Sequence, residues 1–557
     1  MKLSLRYFCS LVSCIFLSEA LLTAQNPTWV MAKQIQTTCN SNASIATDQN
    51  NNIYMGGYFE TDTLVLANDT LFNTGLWSMY LARYDGTGNL QWGRGVLPSN
   101  QINEIMAIGT DLSGNIYASG YYRGSSIVVG QYVLSDNPNN NFNIFIIKYD
   151  LTGNIKWARN AIAINNSFYQ INSTRVLSVD GNGNVHLAGE FSCAELIFGT
   201  DTLRNNGPVS SKQSFHVTYD SAGNIIKVAP PSRSSTNVIL KAPENTFYAG
   251  GSFRDSLVCG PYILHADTHF ASMFIVKYNN SGNVEWAKKA QNSDNKLIQA
   301  DHDASGNIYL LGYCFSSMTF EGITLPVGGT WMAKMNSSGN LIWLKRIIEN
   351  IGSTTISICV KPDGKIFISG YFPGSRFWIG TDTIKTNANP GLPDIYLAAF
   401  NADGNLLWLK GVKGGKSGKN VKGMKLIQNR LLITGTYSEY AVFGSDSLFW
   451  PEWIKNGGSR PYLAKLDQIS GMDDDHEITT YPFIYPNPAA NHFFIHGSSN
   501  GFVSLSIYNI TGQKMYATEK YVESDGIDIR NLGPGLYFIR LEMEKGIRVD
   551  KLIKDGY

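Results

Sequence analysis

The chain lacks the charge imbalance that nucleic-acid-binding proteins usually carry. Its 557 residues include 45 Lys and Arg against 44 Asp and Glu, which gives a formal net charge of +1. No cluster of basic residues alternates with aromatic residues, so no stretch predicts a basic surface for DNA or RNA. We therefore expect no nucleic-acid partner.

Long stretches of helical periodicity are also missing. Period-2 alternation dominates instead, as in Tyr80, Ala82 and Tyr84 against Leu81 and Arg83, and this alternation is typical of strands. The 54 glycines suit many short strands joined by tight turns, and the 43% hydrophobic content can supply a core. The composition therefore predicts an all-β protein.

Cysteine is scarce and scattered. Of seven cysteines, Cys9 and Cys14 lie near the N-terminus, and the other five are Cys39, Cys193, Cys259, Cys314 and Cys359. Five cysteines cannot all pair with one another, and these do not have metal-ligand spacing. We interpret them as small, buried apolar side chains.

What the chain does contain is a repeat. One half of each copy follows the pattern Asn-(Ile/Val)-(Tyr/Phe)-x-x-Gly-Tyr-Phe, and the copies lie at 52–59, 115–122, 184–191, 245–253, 307–315, 365–372 and 430–437. The shared glycine recurs roughly every 63 residues, at Gly57, Gly120, Gly189, Gly251, Gly312, Gly370 and Gly435. Seven copies at this period predict stacked or radial blades.

The other half of each copy is an alternating strand, an Asp/Asn-x-x-Gly-Asn turn and a strand that carries Trp. It recurs from Tyr80, Phe145, Phe215, Phe274, Trp331 and Tyr396, and the seventh copy, from Tyr462, stops before its Trp strand. Near the N-terminus, 29–34 (WVMAKQ) matches the Trp strands at Trp157 and Trp286 but has no partner before it. This first strand can complete the last blade, which predicts a closed seven-bladed β-propeller without exposed edges.

Tryptophan is the expected filler between blades. The predicted ring consists of Trp29, Trp92, Trp157, Trp286, Trp343 and Trp408. Blade three departs from the pattern, because Lys227 stands where its tryptophan would be. That blade is expected either to be splayed or to point its lysine outward. In the turns, we expect Asp or Asn to cap the chain and Gly to supply a positive φ, with Ca²⁺ binding as the weaker alternative.

No motif in the chain predicts catalysis, and we expect no catalytic, cofactor-binding or metal-binding residue. The chain has no Gly-x-Ser-x-Gly elbow, His-Glu-x-x-His helix or Walker loop. His265, Asp267 and His269 would share one face of a strand, and residues 301–303 (DHD) form a second polar cluster. We interpret both clusters as solvated turn residues. Catalytic carboxylates from different blades would leave no local signal.

The N-terminus is typical of a cleavable secretory signal at residues 1–24. Lys2 and Arg6 precede an apolar stretch at 7–22, and Ala24 offers a small residue before Gln25. The stretch is too short and too polar for a membrane span, so we expect none in the mature protein. A competing lipoprotein-like box at 11–14 (LVSC) would leave most of the apolar run in place.

The chain changes character after the repeats at 25–466. Residues 467–480 (DQISGMDDDHEITT) are acidic and poor in apolar residues, which indicates a linker. Residues 481–557 then form alternating strands around 492–496, 503–509 and 532–554, which suit a small β-sandwich.

This tail carries three motifs in order, at 485–488 (YPNP), 507–515 (IYNITGQKM) and 532–541 (LGPGLYFIRL). Together they resemble the type A C-terminal sorting domain of the type IX secretion system. The resemblance implies a Bacteroidota-type bacterium, Sec export, passage through the outer membrane by the secretion machinery, and a secreted or surface location. The region before the tail resembles the bacterial SBBP propeller repeats.

Three functions remain open. The preferred hypothesis is a non-enzymatic propeller that binds a glycan or protein ligand through loops at one end of the ring. The first alternative is a secreted polysaccharide-acting enzyme, for which acidic and aromatic residues with perturbed carboxylate pKa values should meet at the channel mouth. The second is a structural surface component. Fold alone does not decide among them.

Overall fold

The computed structural model describes residues 27–34, 44–96, 102–135, 142–164, 172–205, 207, 212–243, 246–267, 270–279, 281–291, 294–349, 354–374, 376–385, 392–414, 418–449, 459–467, 483–485, 489–496, 502–519, 526–543 and 546–555. The named elements within these ranges are strands. None of the described segments forms a helix with the length and hydropathy that a membrane crossing requires. The all-β prediction is confirmed. The predicted signal segment lies outside the described residues.

The described residues form seven propeller blades of four antiparallel strands each, numbered one to seven and given below from first to fourth strand; the sheet of blade two continues into the hairpin of blade three and so has six strands. Blade one contains Ser44–Thr47, Ile53–Phe59, Ser78–Tyr84 and Leu90–Arg94; blade two contains Ile102–Thr110, Ile116–Arg123, Phe142–Tyr149 and Ile155–Ile164. Blade three contains Ser173–Val179, Val185–Phe191, Gln213–Tyr219 and Ile225–Val228; blade four contains Ser234–Lys241, Phe247–Phe253, Ser272–Tyr278 and Val284–Lys289. Blade five contains Asn295–His302, Ile308–Cys314, Gly329–Met335 and Leu341–Ile348; blade six contains Thr354–Val360, Ile366–Pro373, Pro393–Phe400 and Leu406–Gly411. Blade seven contains Lys419–Ile427, Arg430–Tyr437, Arg460–Asp467 and Thr28–Gln34.

A hairpin is inserted between the second and third strands of each described blade. In order of blade, the hairpins are Thr63–Leu66 with Asp69–Phe72, Ser126–Val129 with Tyr132–Ser135, Glu195–Phe198 with Asp201–Arg204, Ser256–Cys259 with Tyr262–His265, Met318–Phe320 with Ile323–Leu325, Arg376–Ile379 with Asp382–Lys385, and Tyr440–Phe443 with Asp446–Phe449. The short strand Lys413–Gly414 pairs with the last of them. Such hairpins cover outer strands, whose free edges would otherwise invite pairing with other chains.

The blades close into a ring. The first strand of each blade packs against the first strand of the next, and that of blade seven packs against that of blade one. Closure is completed by Thr28–Gln34, which pairs antiparallel with Arg460–Asp467 of the last blade. The prediction that the N-terminal strand completes the last blade, in a propeller, is therefore confirmed.

The register of this closing strand corrects the sequence alignment. In blades one and two, Trp92 and Trp157 lie opposite Arg83 and Lys148 of the third strand. In blade seven, the residue opposite the equivalent Lys465 is Met31. The register shift between residues 29 and 31 is the one that blades one and two also show, so Met31 occupies the tryptophan position and the predicted match at Trp29 is wrong by two residues. The Trp29 ring packs instead against Phe443, with 4.9 Å between ring centroids.

The recurring glycine has a steric explanation. A Cβ atom at Gly120 would lie 1.8 Å from the backbone oxygen of Glu104, and one at Gly435 would lie 1.9 Å from that of Asn420. These contacts arise because the first strands carry a β-bulge that brings a carbonyl close to the second strand. The opposite residue on the third strand is aromatic, as in Phe145 opposite Gly120, and its ring occupies the space that a side chain would need. The repeat motif therefore encodes blade geometry.

The C-terminal unit contains two sheets. One sheet contains Phe483–Tyr485, His492–His496 and Ile527–Asp528; the other contains Lys514–Thr518, Phe502–Asn509, Gly535–Met543 and Gly546–Lys554. Their inner faces share one apolar core, which includes Phe493, Ile507 and Ile539. These strands lie where the sequence predicts a small sandwich. Asp467, the first residue of the predicted linker, is the last residue of a propeller strand, and 468–480 lie outside the described residues.

Candidate functional site

The ordinary contact between neighbouring blades is a docked tryptophan. Trp157 of blade two donates its indole N–H to the backbone oxygen of Ser221 in the last turn of blade three, at 3.1 Å. Its ring lies against Gly223 of that turn, where a Cβ atom would come within 2.7 Å of the indole. Trp343 of blade five contacts Ala402 and Gly404 of blade six in the same way. Glycine is required at the turn because φ is positive there, +82 to +83° at Gly153 and Gly223.

The contact between blades three and four, which we call seam 3/4, lacks this docked ring. Lys227 takes the tryptophan position and its side chain is exposed. Of the two expectations for blade three, this agrees with the lysine that points outward. The equivalent turn glycine of blade four, Gly282, has nothing within 4 Å of its Cβ position. The fourth strand of blade three ends at Val228, and the prolines at 230–231 cannot donate ladder hydrogen bonds.

A cavity of about 630 Å³ occupies this seam, and we call it the seam cleft. Blade three contributes a polar wall that includes Ser214, His216 and Ser232. Blade four contributes apolar groups that include Leu257 and Phe274. The cleft therefore combines hydroxyl and imidazole groups on one side with apolar surface on the other, a combination common in ligand sites.

A second cavity of about 220 Å³ adjoins the seam cleft, and we call it the cationic pocket. The two cavities share Arg233, Ser234 and Arg254 in their linings. Glu190 and Lys212 complete the charged part of the pocket. Residues from two blades therefore meet at one continuous depression.

Glu190 is the anionic centre of the cationic pocket. Its Oε2 atom lies 2.8 Å from Arg175 Nη2 and 3.4 Å from Lys212 Nζ. Burial raises the pKa of Glu190, but the hydrogen bond and charge of Arg175, with Ser235 and Lys212, outweigh burial and hold the pKa below its usual range. Glu190 is therefore ionised at neutral pH.

An aromatic column fills the inner part of seam 3/4. His216 and His186 of blade three lie 5.8 Å apart, His186 lies 4.4 Å from Phe247 of blade four, and Phe247 stacks on Tyr278 at 4.5 Å. The His216 ring is half-buried, but its Nε2 atom is inaccessible and has no hydrogen-bond partner among the described residues. Burial, with the charges of His186 and Lys227, lowers the pKa of His216 to about 3. His216 is therefore neutral.

A different titratable group lies on the first strand of blade two. Glu104 is buried, and Tyr121 donates its hydroxyl to Glu104 Oε2 at 2.6 Å. Burial raises the pKa of Glu104 to about 7, against the lowering effects of Tyr121 and of Lys422 on blade seven. Phe142 packs against Tyr121 with ring centroids 5.5 Å apart. An acidic group and aromatic rings therefore meet here, with a perturbed carboxylate pKa.

The histidine clusters that the sequence singles out do not assemble a metal site within the described ranges. His265 is exposed, Asp267 forms an ion pair with Lys289 at 2.5 Å, and His269 lies outside the described residues. For the second cluster, the interpretation as solvated turn residues is wrong, because Asp301 and His302 lie in the strand Asn295–His302 and Asp303 is buried. Asp303 caps its own turn and accepts a hydrogen bond from Tyr309. The described part of the chain holds no group of three His, Cys, Asp or Glu side chains that could bind a metal ion.

The Asp/Asn-x-x-Gly-Asn turns are built as expected. Asp150 Oδ1 accepts hydrogen bonds from the backbone N–H groups of Thr152 and Asn154, both at 2.9 Å. The carboxylate thus satisfies turn donors and keeps the strand connection tight. Asn336 of blade five caps its turn through the same pair of contacts.

The described cysteines follow the prediction. Cys193, Cys259, Cys314 and Cys359 are buried free thiols. Burial raises the pKa of Cys259, beside the seam cleft, to about 11. Such thiols remain protonated and unreactive at neutral pH. Cys39 lies outside the described residues.

Sequence reasoning missed the seam cleft and the cationic pocket. Glu190, Arg233 and Arg254 are separated along the chain and belong to no motif. The available signal was the break in the repeat, since Lys227 and the prolines at 230–231 interrupt the pattern at this seam. A departure from a repeat was a better guide to the cavity than any cluster of polar residues.

Comparison with known proteins assigns the tail. Residues 483–555 match the family described as the secretion system C-terminal sorting domain. An uncharacterized WD repeat-containing protein of Acanthamoeba polyphaga mimivirus is 23% identical over 76% of this chain. The chain spans 37% of that relative's length.

Two solved structures are similar over most of the chain. A protein of unknown function from Dyadobacter fermentans is 9% identical, covers 80% of this chain and 98% of its own, and gives a TM-score of 0.37. The Dos1 propeller is 8% identical, covers 80% of this chain and 96% of its own, and gives a TM-score of 0.38. The strand order and the closure of the ring establish the β-propeller fold. The protein is a β-propeller that carries a type IX secretion C-terminal sorting domain, which directs it to the cell surface or the extracellular space.

Proposed function

We propose that the exported propeller is a non-enzymatic binding module, and that its glycan or protein ligand enters the seam cleft. The observation that supports the proposal is the interruption of blade packing at seam 3/4. A cavity of about 630 Å³ replaces the docked tryptophan and opens beside a pocket lined by charged side chains. Concave sites with apolar surface and a few convergent polar groups are the usual place for ligands.

The test combines a binding and turnover screen with a variant that blocks the cleft. Ser256 is an exposed cleft residue at the start of the blade four hairpin, and Thr63 is the exposed first residue of the blade one hairpin. The secreted protein is screened against glycan and extracellular-matrix panels, with product analysis on each hit. We expect binding without product, loss of binding in Ser256→Trp, and full binding in the matched control Thr63→Trp. Equal binding by both variants would contradict the proposed location.

An enzymatic function is the second candidate because of Glu104. A carboxyl group with a pKa of about 7, hydrogen-bonded to Tyr121, has the proton affinity that general acid-base catalysis at neutral pH needs. If the protein cleaves a polysaccharide, Glu104→Gln should reduce turnover at least a hundredfold while the circular dichroism spectrum stays unchanged. Turnover that survives this substitution would remove Glu104 from the mechanism.

A further inference from the structure

We propose that the cationic pocket receives the carboxylate or sulfate group of an acidic polysaccharide whose sugar rings lie along the seam cleft. The inference rests on the proposed function, because it names the ligand class for the same site. Its basis is the charge and geometry of the pocket where it joins the cleft.

The charges around the pocket do not balance. Arg175, Lys212, Arg233 and Arg254 supply four positive charges, whereas Glu190, Asp255 and Asp294, which accepts the N–H of the pocket residue Ala271, supply three negative charges, so one positive charge is in excess. The excess positive charge at this pocket favours an anionic group.

Ion pairs within the pocket hold its charged side chains in place. Both Arg175 and Lys212 contact Glu190, while Arg233 Nη1 contacts Asp255 Oδ2 at 2.6 Å. Arg233 and Arg254 line both cavities and so stand at the junction between the pocket and the cleft. A guanidinium group presents a planar set of donors that matches a carboxylate or a sulfate, even where one of its edges is already used.

Hydroxyl groups surround the same junction. Ser234 lines both cavities, and Ser235 and Ser252 line the pocket. Ser234 and Ser252 are buried, so their side chains are held in place by packing. Fixed hydroxyls of this kind donate to and accept from sugar hydroxyls, because each can act in both roles.

The cleft favours a glycan over an acidic peptide. A sugar ring has an apolar C–H face and a polar edge, and the cleft offers Leu257 and Phe274 on one side and Ser214 and His216 on the other. The apolar and polar sides of the cleft therefore match the apolar face and polar edge of a sugar ring, and this match favours a polysaccharide as the ligand.

The experiment measures binding of the secreted protein to four polymers by titration calorimetry. The probes are polygalacturonate for carboxylate, dextran sulfate for sulfate, dextran for neutral sugar and polyglutamate for an acidic peptide. We expect one of the two anionic polysaccharides to bind best, and the double variant Arg233→Gln/Arg254→Gln to weaken that binding at least tenfold. The control is Arg346→Gln on blade five, which removes an arginine that pairs with Glu349 far from the seam in sequence.

Each outcome decides the inference. A preference for polygalacturonate or dextran sulfate, lost in the double variant and kept in the control, supports it and tells carboxylate from sulfate. Tighter binding of dextran or polyglutamate, unchanged binding in the double variant, or binding of none of the four polymers overturns it. If Ser256→Trp blocks a neutral ligand that the double variant still binds, the inference fails while the proposed binding function stands.

Discussion

Seam 2/3, between blades two and three, and seam 3/4 are built from the same repeat and differ in how they are filled. At seam 2/3, Trp157 docks on blade three, and Ala161–Ile164 pairs with the hairpin strand Glu195–Phe198. At seam 3/4, Lys227 stands in place of the tryptophan. The apolar residues buried between blades three and four form only a small group around Ala188, Ile239 and Phe247. The comparison shows that the same repeat packs two blades tightly where it carries the tryptophan and leaves a cavity between them where it does not.

The difference has an energetic meaning. Burying a large side chain stabilises a protein by about 1.5 to 3 kcal/mol, so the other docked tryptophans can maintain the ring while one seam is less filled. A closed ring tolerates a weak seam because every blade is still held by its other neighbour. The less filled seam supplies the concave surface that a binding site needs.

The largest expected effect comes from breaking closure itself. Deleting residues 25–37 removes the strand Thr28–Gln34 and exposes the edge of Arg460–Asp467. We expect a loss on the order of 5 kcal/mol or more in the free energy of unfolding, enough to unfold many domains. Denaturant unfolding measures it against a chain that begins at residue 25. An unchanged midpoint would refute closure by this strand.

The next prediction contrasts the two seams directly. Trp157→Ala removes a buried ring and its hydrogen bond to Ser221, and we expect it to cost about 3 to 5 kcal/mol in unfolding free energy. Lys227→Ala alters an exposed side chain at the equivalent position and should change stability by less than about 0.5 kcal/mol. Similar costs for both variants would show that seam 3/4 is packed like the others.

Acid should act on seam 3/4 through His216. Burial depresses the folded-state pKa to about 3, below the unfolded value, so the neutral ring contributes stability above pH 6.5 that is lost as the pH falls towards 3. By pH 4.5 we expect a loss of about 2 to 3 kcal/mol relative to His216→Asn, which cannot titrate. Unfolding curves of both proteins from pH 7 to 4.5 measure the difference. Parallel pH profiles would exclude His216 as the cause.

The smallest effect should come from filling the vacant docking position. Lys227→Trp would place a ring near Gly282, whose Cβ position now faces open space, and we expect a gain of about 1 kcal/mol in the free energy of unfolding. Lys227→Leu serves as the control, because it adds apolar surface without the indole N–H. Destabilisation by the tryptophan would mean that the blade four turn cannot accept the contact.

The sequence alone determined the features that are local. Alternating apolar residues and regularly spaced glycines predicted the strands, and the Asp/Asn turns predicted the connections between them. The tail motifs predicted the sorting domain. Each of these features depends on residues within one strand pair or one turn. The closing strand also followed from the repeat, since a first strand without a partner and a last copy without a tryptophan strand complement each other.

Only the tertiary structure decided the features made by distant residues. Strand pairing places Met31, and not Trp29, opposite Lys465, and the repeat pattern pointed to Trp29 because tryptophan is the usual residue at that position. Glu190 and Arg254 lie on different blades, so their shared pocket is visible only after the blades pack. Side chains from separate strands meet because closure of the ring fixes the position of each blade. The sequence pattern of one blade does not show which side chains of the next blade will face it.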